Sequence, residues 1–106
     1  MLLQDDNYRL TPDAQSDLAE IRRFTLAQWG SKQSKKYLSE LRQVLRLLSE
    51  TPKMGRQRPK LGLDVFSFPH SSHVIYYQQT GKQLVVFAVL HKSMVPRSHL
   101  EDREIT

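Results

Sequence analysis

His73-Val74-Ile75-Tyr76-Tyr77-Gln78, then Gln79-Thr80-Gly81-Lys82, then Leu84-Val85-Val86-Phe87-Ala88-Val89-Leu90: this run sets the architecture of the chain. The first piece is rich in β-branched and aromatic residues. The second is a tight turn with glycine where a positive φ is wanted, so the flanking pieces form a β-hairpin. The third shows no alternation of apolar and polar positions, which implies a strand buried on both faces and therefore central in its sheet. Just upstream, Val65-Phe66-Ser67-Phe68-Pro69 reads as another strand.

The first half of the chain has a different period. Tyr8-Arg9-Leu10 is a short extended piece ended by Thr11-Pro12-Asp13. There Thr11 is a good N-cap, Pro12 suits the first helical position and Asp13 complements the positive helix end. Ala14, Leu18, Ile21, Thr25 and Trp29 follow at helical spacing, with Phe24 widening the stripe and Gly30 as the stop signal. Ser31 is expected to cap a second helix, with Tyr37, Leu38, Leu41, Val44, Leu45 and Leu48 on its apolar face and Pro52 at its end. So short a connection makes the two helices antiparallel neighbours. The expectation is a single α+β domain over residues 1–106: a short N-terminal strand, then a helical hairpin packed on a small, twisted, mainly antiparallel sheet. Residues 1–6 are expected to fray and 100–106 to form a flexible tail.

Composition narrows the function classes. One domain fits 106 residues, and the absence of cysteine excludes disulfides, thiolate metal sites and cysteine nucleophiles. The longest apolar run, 84–90, is far short of the ~20 residues that span a bilayer. The opening Met-Leu-Leu-Gln-Asp-Asp is too short and acidic for a signal peptide, so a cytoplasmic setting without membrane contact is expected. Sixteen Lys and Arg against eleven Asp and Glu give a net charge of +5, which favours an acidic partner.

Lys53, Arg56, Arg58 and Lys60 lie in a loop with no acid between Thr51 and Leu63. The loop is either an anion clamp, since arginine forks match phosphate and carboxylate, or a solvated connection. His70 and His73 are expected on opposite faces, and with no acidic cluster beside them no metal site is expected. His91 follows directly on the buried strand, a rigid mount for either a general base or a structural histidine. Four glycines and no Gly-x-Ser-x-Gly elbow leave no phosphate-cradling loop and no nucleophile constellation, so no cofactor is expected.

Several strings resemble the RelE/ParE toxin superfamily. Leu10-Thr11-Pro12-Asp13-Ala14-Gln15-Ser16-Asp17-Leu18 resembles its opening, and Phe24-Thr25 with Gln28-Trp29-Gly30 the end of its first helix in ParE members. Ser72-His73-Val74-Ile75-Tyr76-Tyr77 and Val89-Leu90-His91-Lys92-Ser93-Met94 resemble the ParE hairpin and last strand. In one departure, Val95 stands where an aspartate commonly follows the methionine.

The resemblance implies a toxin of a type II toxin–antitoxin module serving plasmid or prophage maintenance, neutralised by an antitoxin encoded beside it. ParE-like members poison DNA gyrase, whereas RelE-like members cut mRNA on the ribosome using Lys and Arg with a late tyrosine or histidine. No tyrosine follows Tyr77 here, which favours the gyrase inhibitor over a catalyst and leaves direct nucleic-acid binding unnecessary. If the chain were a nuclease instead, His91, Arg56, Arg58 and Lys60 would be its candidates. Carried onto this sequence, the gyrase-binding segment is His91, Lys92, Ser93, Met94, Arg97 and His99, with Met94 as an apolar anchor. The antitoxin is expected to meet Trp29, Arg56 and Arg58, together with Val65, Phe66 and Phe68 on an exposed edge strand.

Overall fold

A computed structural model describes residues 8–81, 83–94 and 96–103. The expectations placed on residues 1–6, Lys82, Val95 and 104–106 lie outside the described residues. The chain runs β1 (Tyr8–Leu10), α1 (Pro12–Trp29), α2 (Ser31–Glu50), a 3-10 turn (Pro52–Met54), β2 (Arg56–Gln57), β3 (Val65–His70), β4 (His73–Thr80), β5 (Gln83–His91) and α3 (Pro96–Leu100). The sheet order is β1-β5-β4-β3-β2. β1 pairs with β5 in parallel, and the remaining neighbours are antiparallel. This is the expected α+β architecture, extended by the short elements β2 and α3.

Local signals explain the helices. The Thr11 hydroxyl accepts from the Ala14 N–H at 3.2 Å, and Pro12 occupies the first turn. Gly30, at φ +89°, is the whole connection between α1 and α2. Ser31 is therefore the first residue of α2 and makes no side-chain cap, contrary to expectation: once one glycine reverses the chain, the cap position belongs to Gly30. Beside this turn the helices touch through small hydroxylated residues, Thr25 Oγ1 lying 2.6 Å from Ser34 Oγ in the core.

Leu84 to Leu90 is buried throughout, as its unbroken apolar run implied. A bulge contributes to this. Tyr76 faces Ala88 and Tyr77 faces Val86, so Phe87 is an extra residue on β5. Val86 and Val89 then join the main core with Leu41, Leu45, Leu48, Phe66, Ile75 and Tyr77. Phe87, Ala88 and Leu90 turn to the opposite face, where they meet Val65, Tyr76 and Leu100.

Three further expectations are corrected. Val65, Phe66 and Phe68 do not form an exposed strip. Val65 and Phe66 are buried and Phe68 half-buried, because Phe66 and Phe68 face the helices, Val65 faces the second cluster, and β2 pairs along the outer edge at Phe66 and Ser67. His70 and His73 share a face, since Ser71 at φ +54° closes a two-residue turn that sets them opposite each other. Residues 100–103 do not form a free tail: Leu100 is buried and Arg103 is held by Asp17.

The Tyr77 hydroxyl fastens the basic connection to the sheet. It donates to the Pro52 carbonyl at 2.6 Å and accepts from the Gly55 N–H at 3.0 Å. A Cβ at position 55 would overlap that hydroxyl, so glycine is required for the close approach.

Candidate functional site

Two concave surfaces lie on opposite faces of the sheet. The first is a mainly apolar cleft of about 360 Å³ between α1 and the end of β5, lined by Asp17, Glu20, Ile21, Phe24, His73, Val89, Leu90, His91, Ser93 and Met94. Phe24 and Met94 are 57% and 42% exposed, which leaves apolar surface uncovered at its rim. Thus the stripe residue Phe24, expected to help bury α1, instead joins Met94 on the surface.

Polar contacts fix the β5 edge beside the cleft. β1 ends its pairing at Leu10, so the rest of the β5 edge needs other partners. Asp17 accepts from the Val89 N–H at 2.9 Å, while Arg103 donates to the Phe87 carbonyl at 3.1 Å. Arg103 also grips Asp17 with both guanidinium nitrogens, at 2.5 and 2.9 Å. The hydrogen bond to Asp17 holds the guanidinium above its ordinary pKa, against the opposing effect of burial. This pair joins residues too far apart in sequence for any local pattern to couple them.

A row of three histidines runs across β3, β4 and β5, His70 opposite His73 and His73 opposite His91. Tyr37 from α2 covers one end, its hydroxyl 2.7 Å from His73 Nδ1. Burial, with smaller contributions from His91 and His70, lowers the His73 pKa to about 4. His91 Nδ1 accepts from the Ser93 N–H at 3.1 Å, so the neutral ring carries its proton on Nε2. Among the described residues, no three histidine or acidic side chains come together to hold a metal ion.

The second surface is a polar groove of about 510 Å³, lined by Arg56, Gln57, Arg58, Pro59, Lys60, Leu61, Pro96 and Arg97. Arg58 Nη1 donates to Ser67 Oγ at 3.1 Å, and its guanidinium lies over the Tyr76 ring, 5.8 Å from the centroid. Both partners stand on the sheet face away from the helices.

The structure therefore divides each group of candidate residues. His91, Ser93 and Met94 meet in the cleft, Lys92 and His99 are exposed beside it and on α3, and Arg97 joins the basic groove. Trp29 is half-exposed at the end of α1, edge-on to Tyr37. Arg56, Arg58 and Lys60 stand together, but His91 is on the other sheet face with its Nδ1 engaged by Ser93. The nuclease candidates are thus not assembled around one reacting atom. Both surfaces are suited to binding.

The ParE toxin model, "ParE toxin of type II toxin-antitoxin system, parDE", matches residues 8–96, the whole span from β1 to the start of α3. The chain belongs to the ParE toxin family. Toxin ParE1 of Caulobacter vibrioides is 33% identical over 93 residues, covering 88% of this chain and 96% of that protein. Toxin ParE of Escherichia coli is 31% identical over 98 residues, covering 91% and 94%. A solved structure described as the chromosomal ParDE TA system from P. aeruginosa shares the fold at a TM-score of 0.70 with 16% identity, covering 81% of this chain and 95% of that one. The chain is thus a ParE toxin of a type II toxin–antitoxin system, with an antitoxin as partner, and the RelE-like nuclease is the less favoured reading. No helix among its described residues is long and apolar enough to cross a membrane.

Proposed function

We propose that this ParE toxin inhibits DNA gyrase by surface contact through the apolar cleft and that its antitoxin neutralises it while also binding elsewhere, at Trp29, Arg56 and Arg58. The observation that carries this reading is the apolar cleft, whose rim exposes Phe24 and Met94 within a framework fixed by Asp17 and Arg103. Inhibition by binding needs an adaptable apolar anchor on a rigid support, and an exposed methionine beside a clamped strand edge supplies one. His91 and Ser93 add polar contacts inside the cleft, with Lys92 exposed between them in sequence and His99 exposed on α3. No reacting group is required of the chain.

The antitoxin reading keeps Trp29, Arg56 and Arg58, which are accessible, and drops Val65 and Phe66, which are buried. An acidic antitoxin segment on Arg56 and Arg58 gives an affinity that falls as salt rises. Such a toxin works in the cytoplasm, where its target is.

The test is a supercoiling and DNA-cleavage assay with purified gyrase and the full chain, run beside a translation extract. Lost supercoiling or trapped cleaved DNA, with mRNA intact, is the expected result. Untouched gyrase alongside codon-specific mRNA cuts overturns the reading.

A further inference from the structure

The cleft accounts for the proposed inhibition without using the groove on the opposite face. Arg56, Arg58 and Lys60 reach that groove from the connection after α2, and Arg97 reaches it from α3, about forty residues further on. None of the residues lining it is acidic, and among the described residues none of the four cations has a carboxylate partner. The neighbouring depression, which shares Lys60 and Arg97, ends the positive stretch at Glu101. Four cations converging from two segments without counter-charges repel one another, so the fold tolerates a cost that an anionic ligand removes.

The surroundings indicate what kind of anion fits. Arg58 is oriented before any ligand arrives, by the Ser67 hydroxyl and the Tyr76 ring. A planar, pre-positioned guanidinium suits the paired oxygens of a phosphate. The groove is lined mainly by polar side chains, so it holds a partner by charge rather than by the apolar anchors that suit the cleft on the other face. No aromatic ring lines the groove, and Tyr76 beneath Arg58 is only 3% exposed, so single-stranded bases find no stacking platform. What remains is a ligand that presents phosphates and keeps its bases inside.

We infer that the groove formed by Arg56, Arg58, Lys60 and Arg97 binds the phosphate backbone of duplex DNA without reading its sequence. The contact is independent of gyrase, and an acidic antitoxin segment lying on Arg56 and Arg58 competes with it.

The experiment measures binding of the full chain to a labelled 20-base-pair duplex by fluorescence anisotropy, over a series of salt concentrations and without gyrase. The expected log–log salt dependence has a slope between about −3 and −4, near 0.9 for each of four phosphates neutralised. The double reversal Lys60→Glu/Arg97→Glu weakens binding by about tenfold or more and flattens the slope by about two. The control Lys32→Glu/Lys35→Glu makes the same change of net charge on α2, away from the groove, and stays within about threefold of the parent. Circular dichroism checks that each variant is folded, and the single Lys60→Glu exchange stands in for the double if that one is not. Equal losses in the groove and control variants, or an affinity insensitive to salt, overturn the inference. So does tighter binding of a single-stranded 20-nucleotide RNA or of polyglutamate, which would assign the groove to a different partner.

Discussion

On the helical face of the sheet, two long helices bury a continuous core and leave beside it a cleft edged by Phe24 and Met94. On the opposite face a smaller cluster, closed by Leu61 and Leu100, supports a groove lined by four cations. One five-stranded sheet thus presents apolar chemistry on one side and concentrated positive charge on the other. The difference lies in what covers the strands. The helical hairpin supplies apolar side chains and a rigid wall, whereas a short connection and one helical turn cover the far face and bring mostly polar residues with them. The first surface suits recognition through an adaptable anchor and the second suits electrostatic attraction.

The largest expected effect contrasts the two cores. Leu45 is fully buried between the helices and the sheet, and Leu45→Ala is expected to cost ~3–4 kcal/mol in urea unfolding. Leu100, at 8% exposure in the smaller cluster, is expected to cost ~1–2 kcal/mol on the same change. Equal costs would mean that the far face is as strongly packed as the helical one.

An intermediate effect belongs to the strand-edge clamp. Asp17→Ala leaves Arg103 half-buried without its carboxylate and the Val89 N–H without an acceptor, an expected loss of ~3 kcal/mol by thermal unfolding. Arg103→Ala should fall close to the same value, and the double variant should be far from additive. Full additivity would show that the two side chains act separately.

The smallest effect distinguishes the surfaces by acidity. His73 titrates near 4 in the folded protein against an ordinary 6.5, so the unfolded chain binds more protons between those values. Its contribution is intact above about pH 6.5 and is lost as pH falls toward 4. Facing it are Tyr37, His70 and His91, with Asp17 and Glu20 across the cleft, so the reading is the difference between the parent and His73→Gln. A smaller loss of melting temperature in His73→Gln between pH 7 and 4.5 is expected; parallel curves would contradict it.

The helices, the antiparallel pairing of β4 with β5 and the doubly buried β5 were legible because each depends on local period or turn chemistry. The family resemblance along β1, α1 and the last strand was legible on the same grounds. Facing relations between strands were not. Whether His70 and His73 share a face depends on a two-residue turn at Ser71, and strand alternation alone gives the opposite answer. The Val65-Phe66-Ser67-Phe68 strip looked exposed because a two-residue strand, Arg56–Gln57, is too short to announce itself. Of the candidate site residues, His91 was singled out by its place after the buried strand and Met94 by the family resemblance of the segment that follows. Phe24 was recognised as apolar but assigned to the core, because helical spacing says which face a residue shares and not whether anything covers it. The Asp17–Arg103 pair and the joining of Arg97 to the basic loop are tertiary facts that no spacing rule encodes.

The central claim is that inhibition resides in the apolar cleft, and the direct measurement is gyrase-dependent DNA cleavage with the parent chain, Met94→Ala and Lys60→Glu side by side. The account predicts trapped cleaved DNA with the parent, a potency loss of about tenfold or more for Met94→Ala, and a smaller change for Lys60→Glu. Full potency in Met94→Ala, or a parent chain that leaves gyrase untouched, would contradict it.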